Sequence, residues 1–192
     1  LNPLITCGEC NYCKNGREHL CVKRIILGMN KPIERQGCFA ELVITPDKNI
    51  YELPSNLDIK QAPIAEPTAV ALHAVEIGEE VLKKPINQSR VLVIGGGAIG
   101  LLCALILEKY KKCKEIVLVD PNEKRLKVCG DHLNSETLKP DNITIKDSSF
   151  DMVFDTVGLE ITRQNSIKSV NPGGVIIHIG LTQPSGTFNF RK

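Results

Sequence analysis

Four cysteines crowd into the first 21 residues as Cys7-x2-Cys10-x2-Cys13-x7-Cys21, with Gly8 and Gly16 between them to let the chain turn. Four thiolates on one short loop can wrap a single tetrahedral ion, and a closed all-cysteine set is the pattern of structural rather than catalytic zinc. Two other chemistries use clustered cysteines. An iron–sulfur cluster also takes C-x2-C-x2-C, but its bacterial form continues x3-C-P; here the fourth cysteine is Cys21, followed by Val22. Disulfides are the second, and they belong to oxidising compartments. Cys38, Cys103, Cys113 and Cys129 are scattered through apolar or helical context and read as small core or surface residues. One clustered half and one scattered half favour a metal site in a reducing compartment.

The second chemical signal is Gly95-Gly96-Gly97-Ala98-Ile99-Gly100. A glycine turn can join strand and helix with no ligand at all. This one follows the apolar run Val91–Ile94 and opens an apolar helix. An acidic residue, Asp120, stands 20 positions after Gly100 at the end of the next strand. That is the context a dinucleotide fingerprint requires. Gly95 permits the tight turn, Gly97 lets a pyrophosphate approach the backbone, and Gly100 lets helix and strand pack closely. The N–H groups of Ala98 and Ile99 then face the phosphates from the helix N-terminus. Asp120 would accept hydrogen bonds from the adenosine ribose, and its charge would repel the 2′-phosphate of NADP, so NAD is the expected cofactor. Arg125 could flank the adenine or weaken that discrimination.

The elements that must position these residues alternate. From Arg90 onward, apolar strands at 91–94, 115–120, 150–157 and 175–181 alternate with helices at 98–110, 123–129 and about 159–170. Continuous apolar strands are buried on both faces, and strand–helix alternation implies a doubly wound parallel sheet, an α/β fold. A third strand belongs within 130–149, with 142–146 the best candidate. Before residue 82 the chain differs. Residues 1–24 read as loop, 39–45 and 47–53 as short strands, and 68–81 as a helix opened by Pro67. The polar break at 82–90 suggests two domains, 1–82 and 83–192.

Composition excludes several classes. The 24 Lys and Arg offset 22 Asp and Glu to give a net charge of +2 with the signs interspersed, so nothing favours nucleic acid or an anionic membrane. No apolar run approaches the ~20 residues that cross a bilayer, and no secretory signal opens the chain. The expectation is a soluble, cytoplasmic protein. Leu1 opens the chain as if within a longer one, and Lys192 closes it without a stop signal, so an internal piece of a larger protein is expected.

Together, the cysteine loop, Gly37-Cys38-Phe39-Ala40-Glu41, Ala65-Glu66-Pro67 and Val93–Gly100 resemble the zinc-containing medium-chain dehydrogenase/reductase family. The resemblance extends through Phe154–Gly158 and Gly173–Leu181 and so spans essentially the whole chain. Its Glu-Pro pair is most similar to the sorbitol, threonine and sugar-alcohol branch. The resemblance implies a partial GroES-like β lobe carrying the structural zinc loop, followed by a Rossmann domain that binds NAD. The C-terminal part of that domain would be incomplete. It also implies a catalytic zinc in the complete enzyme, acting as a Lewis acid on a secondary alcohol of a polyol, sugar or amino alcohol. The parent would be a homodimer or homotetramer. Glu66 aligns with a position on or next to the catalytic zinc, the only such position the chain offers. Val157, Ile179 and Leu181 would line the nicotinamide pocket. Asp155 reads as structural, and His73 as packing or solvent-facing. The family's catalytic cysteine and Gly-His-Glu motif have no match here, so the chain alone is expected to bind NAD without turnover. The alternative is a zinc- and NAD-binding module that performs no chemistry.

Overall fold

A computed structural model describes residues 1–29, 34–140 and 148–187. The chain packs as two compact units, Leu1–Pro63 and Ile64–Lys192.

In the first unit, β1 (Leu4–Ile5) pairs antiparallel with β2 (Ile25–Ile26), and α1 (Asn11–Lys14) lies on the loop between them. Asn49 is buried against this hairpin. Its Nδ2 donates to the carbonyls of Asn2 and Leu4, both at 2.8 Å, and its own carbonyl accepts the Asn2 N–H. The strands expected at 39–45 and 47–53 do not form; Asp47–Asn49 is a 3-10 turn instead. Strand propensity is expressed only against a partner ladder. Among the described residues none lies beside 39–45, and Phe39, Leu42 and Ile44 face solvent.

Among the described residues, the second unit is built on five parallel strands: β3 (Arg90–Ile94), β4 (Glu115–Val119), β5 (Glu136–Leu138), β6 (Phe150–Asp155) and β7 (Val170–His178). Their spatial order is β5-β4-β3-β6-β7, so the chain starts at the centre, winds to one edge and returns to build the other. This is the Rossmann order, whose reversal lies between β3 and β6. The apolar run of β3 is explained by burial on both faces. Val91 and Val93 pack with Val75, Leu107, Met152 and Phe154, while Leu92 and Ile94 pack with Val117, Val119 and Val153. The edge strand β5 is Glu-Thr-Leu, of which only Leu138 packs on the core. The stretch 142–146 lies outside the described residues.

Among the described residues, four α-helices complete this unit: α2 (Ala65–Val81), α3 (Ala98–Leu105), α4 (Glu123–His132) and α5 (Glu160–Ser169). α3 continues into one π-helical turn, Ile106–Tyr110, so the long helix expected there is present but widens at its end. Pro67 sits in the first turn of α2, where a missing N–H costs nothing. Packing divides the chain earlier than the polar break at 82–90 because α2 buries Ala71, Ala74 and Val75 in the core of the sheet unit. Gly78 brings α2 close to the sheet: a Cβ there would lie 3.1 Å from the Met152 sulfur. Among the described residues, no helix is long and apolar enough to cross a membrane.

Candidate cofactor and metal sites

The cysteine loop folds into a sulfur cage. Cys10 precedes α1 and Cys13 lies within it, while Gly8 and Gly16 take φ of +73° and +69°, a region that glycine enters without strain. The Sγ–Sγ distances are 3.5 Å for Cys10–Cys13, 3.6 Å for Cys7–Cys21 and 3.9 Å for Cys7–Cys13, and all four sulfurs lie within 4.8 Å of one another. A tetrahedral zinc with sulfurs at its usual bond length needs edges of about 3.8 Å, so the cage fits that ion nearly as it stands. The Cys13 N–H holds the Cys10 thiol down to about 6, whereas burial, then the Cys10 thiol, pushes Cys13 up to about 12. The Cys7 N–H, its largest cause, lowers Cys21. Arg24 donates to the Cys21 carbonyl at 3.2 Å, and Lys23 pairs with Glu9 at 2.8 Å, placing cations beside the thiolates. Among the described residues this is the one cluster of three or more His, Cys, Asp or Glu side chains able to hold a metal ion.

The glycine turn lies at the carboxyl end of β3, at the reversal of strand order. Each glycine meets a different constraint. Gly95, at φ +106°, would put a Cβ 2.6 Å from Thr156 Oγ1, and Gly100 would put one 1.8 Å from the Gly95 carbonyl. At Gly97 a Cβ would meet nothing within 4 Å. The first and last are therefore required by packing, whereas Gly97 opens on space, as a cradle for a ligand backbone would. No side chain caps the N-terminus of α3 and no acidic residue lies in its first turn. Its free N–H groups and positive dipole end suit an anion.

Asp120 directly follows β4 and is 2% exposed. Its Oδ2 accepts the Gly96 N–H at 2.8 Å, its Oδ1 accepts the Asn122 N–H at 2.7 Å, and Arg125 Nη1 lies 3.5 Å from Oδ2. Asn122 in turn caps α4 by accepting from the Lys124 and Arg125 N–H groups. The structure thus brings Gly95, Gly97, Ala98, Ile99, Gly100, Asp120 and Arg125 to one edge of the sheet. Val157 is at the same edge: a Cβ on Gly95 would lie 2.7 Å from its Cγ2. Ile179 follows β7, and Leu181 beyond it is exposed. Thr156, which the sequence reading passed over, donates to the Ile94 carbonyl at 2.8 Å and joins β6 to the glycine turn. Its signal was a hydroxyl at the end of an apolar strand, meaningful only once β3 and β6 are known to be neighbours.

Glu66 is exposed in the first turn of α2 and belongs to no metal-ligand cluster among the described residues. His73 and Cys38 are likewise exposed, and Cys103, Cys113 and Cys129 are buried. Burial raises all three of these thiols, that of Cys103 to about 12, so they are inert core residues.

Residues 1–55 match the alcohol dehydrogenase GroES-like domain. An L-threonine 3-dehydrogenase from Proteus mirabilis is 32% identical over 186 residues, 92% of this chain and 51% of the relative. The chain belongs to the zinc-containing medium-chain dehydrogenase/reductase family. L-idonate 5-dehydrogenase from Escherichia coli superposes with a TM-score of 0.87 at 25% identity, covering 98% of this chain and 55% of that one. A protein described as a zinc-binding dehydrogenase, from Sinorhizobium meliloti and solved with NADP, superposes at 0.82 with 26% identity, covering 97% and 55%. This medium-chain dehydrogenase/reductase chain spans about half the length of the curated relatives it matches.

Proposed function

We propose that this chain supplies the structural-zinc loop and the dinucleotide-binding edge of a zinc-dependent, NAD-linked dehydrogenase that acts on a secondary alcohol of a polyol, sugar or amino alcohol. The observation that carries the reading is the glycine turn with Asp120 hydrogen-bonded onto it, at the strand-order reversal where α/β sheets take their ligands. The relatives include L-threonine 3-dehydrogenases, whose named substrate suits the amino-alcohol end of this range.

The chain's own residues divide the work. Cys7, Cys10, Cys13 and Cys21 would hold the structural zinc and so fix the loop between β1 and β2. Gly97 and the N–H groups of Ala98 and Ile99 would receive the pyrophosphate. Asp120 would take the adenosine ribose hydroxyls on the acceptor capacity its backbone partners leave, because a carboxylate accepts about four hydrogen bonds. Arg125, which pairs with Asp120, would flank the adenine or soften the bias against a 2′-phosphate. Val157, Ile179 and Leu181 would line the far half of the cofactor. In the complete enzyme, catalytic zinc and NAD supply Lewis-acid and hydride-acceptor chemistry. Glu66 is this chain's offer to that zinc, and a catalytic site needs three protein ligands. The 192 residues alone therefore bind NAD without turnover, which is also what a non-catalytic zinc- and NAD-binding module would do.

Titrating the chain with NADH while following protein-enhanced nicotinamide fluorescence tests the reading. Saturable binding, with no reduction of NAD across a panel of polyols and amino alcohols, is expected. Absence of binding overturns it.

A further inference from the structure

We infer that Asp155 is a positioning residue for the nicotinamide half of the cofactor, acting through the two turns that end β6 and β7. The inference rests on the reading that this edge binds NAD. Strand order places Asp120 on one side of the reversal and β6 and β7 on the other. A dinucleotide whose adenosine ribose meets Asp120 and whose pyrophosphate crosses Gly97 must run its second half over the turns after β6 and β7.

One buried residue organises both turns, through its side chain after β6 and its backbone carbonyl after β7. Asp155 is fully buried. Its Oδ1 accepts the N–H groups of Val157 at 3.1 Å and Gly158 at 2.9 Å. Its backbone carbonyl accepts those of Ile179 at 2.9 Å and Gly180 at 3.0 Å. Its Oδ2 faces His178 Nδ1 at 3.2 Å, across the register pair that joins the two strands. The turns touch through backbone: a Cβ on Gly158 would lie 2.1 Å from the Gly180 carbonyl oxygen, and one on Gly180 would lie 2.1 Å from the Val157 carbonyl carbon. Thr182 Oγ1 closes the assembly by donating to the Val157 carbonyl at 2.6 Å. Burying a carboxylate is costly unless its oxygens are well bonded. Here one oxygen holds the turn after β6 and the other meets His178 at the end of β7, so the carboxylate ties the first turn to the strand that leads into the second. A surface so fixed can present Val157 and Ile179 to a ring in a single geometry, and misplacing such a surface weakens whatever rests on it.

The test separates the two halves of the cofactor. ADP-ribose carries the adenosine and pyrophosphate but no nicotinamide; NADH carries all three. Calorimetric titration of the unmutated chain, Asp155→Ala and Asp155→Asn with both ligands gives four ratios to the unmutated values. Asp155→Ala should leave ADP-ribose affinity within about twofold and weaken NADH roughly tenfold, the worth of hydrogen bonds to a charged group. Asp155→Asn keeps an acceptor oxygen but not the charge. It should fold and lose a smaller part of the NADH affinity, because charge-assisted bonds are roughly twice as strong as neutral ones. If Asp155→Ala does not fold, Asp155→Asn decides alone. Proportionate loss of both ligands would mark Asp155 as merely structural, and unchanged NADH affinity would remove its role; either overturns the proposal. Failure of the unmutated chain to bind ADP-ribose would instead defeat the cofactor reading on which the proposal rests.

Discussion

Asp120 Oδ2 accepts the Gly96 N–H at 2.8 Å, tying the end of β4 to the turn that follows β3. The residue expected to recognise the ribose therefore also holds the glycine turn. A substitution at Asp120 would remove two things at once, the proposed ribose contact and the partner of the Gly96 N–H.

This makes a split outcome the prediction for Asp120→Ala. NADH affinity should fall and the preference over NADPH should shrink toward parity, read by titrating both cofactors. Stability should fall as well, by about 1–3 kcal/mol for the stranded Gly96 N–H, read by denaturant unfolding. A variant that keeps its discrimination while losing stability would show that Asp120 serves the turn alone.

Zinc loading should depend on pH in a direction the thiols set. Ligating thiols must be deprotonated, so protons compete with the metal. Cys13, pushed up to about 12, must give up its proton on binding at neutral pH, and below about 6 Cys10 must do so too. Zinc affinity should rise with pH through neutrality and fall more steeply below pH 6. A competitive chelator titration at several pH values reads this, and a flat profile, or iron in the purified protein, contradicts the assignment.

Acid stability should involve Asp151, at the opposite end of β6. Burial alone would raise its pKa, but Lys84 at 2.8 Å, the Arg90 N–H at 2.9 Å and Asn171 at 3.0 Å together hold it below the ordinary 3.8. A lowered folded pKa adds stability that is complete above the unfolded value and lost as pH falls through the folded one. Asp151→Asn should therefore cost about 1 kcal/mol at neutral pH, Lys84 being half exposed and partly screened. The gap between variant and parent should close below about pH 4. Melting temperatures across that range check it.

What could be read from residues alone was what is local in the chain. The cysteine cage needs fifteen consecutive residues, and the glycine turn needs only its flanking strand and helix. Both geometries were legible. The apolar runs of β3, β4 and β6 were legible because strands buried on both faces carry no alternation to misread. The edge strand β5 was hidden because its one exposed and two half-buried residues carry one apolar side chain. The stretch 39–45 misled because its composition suits a strand, while a strand also requires a neighbour. The allegiance of α2 depended on contacts with α3 and β7 that are distant in sequence. The Asp155–His178 pair was invisible for the same reason, since a strand's last residue acquires its partner only from the adjoining strand.

The central claim is that a dinucleotide crosses the sheet edge at Gly97, and Gly97→Ala tests it most directly. Its added methyl meets nothing in the protein within 4 Å, so the variant should fold and melt as the parent does. The methyl would occupy the space where a pyrophosphate approaches, and NADH affinity should fall roughly tenfold or more, as for loss of charge-assisted contacts. NADH titration of the two proteins, with their melting curves beside it, gives the answer. Weakened binding at unchanged stability is the predicted result; equal NADH affinity in both, or no saturable binding in the parent, would contradict the account.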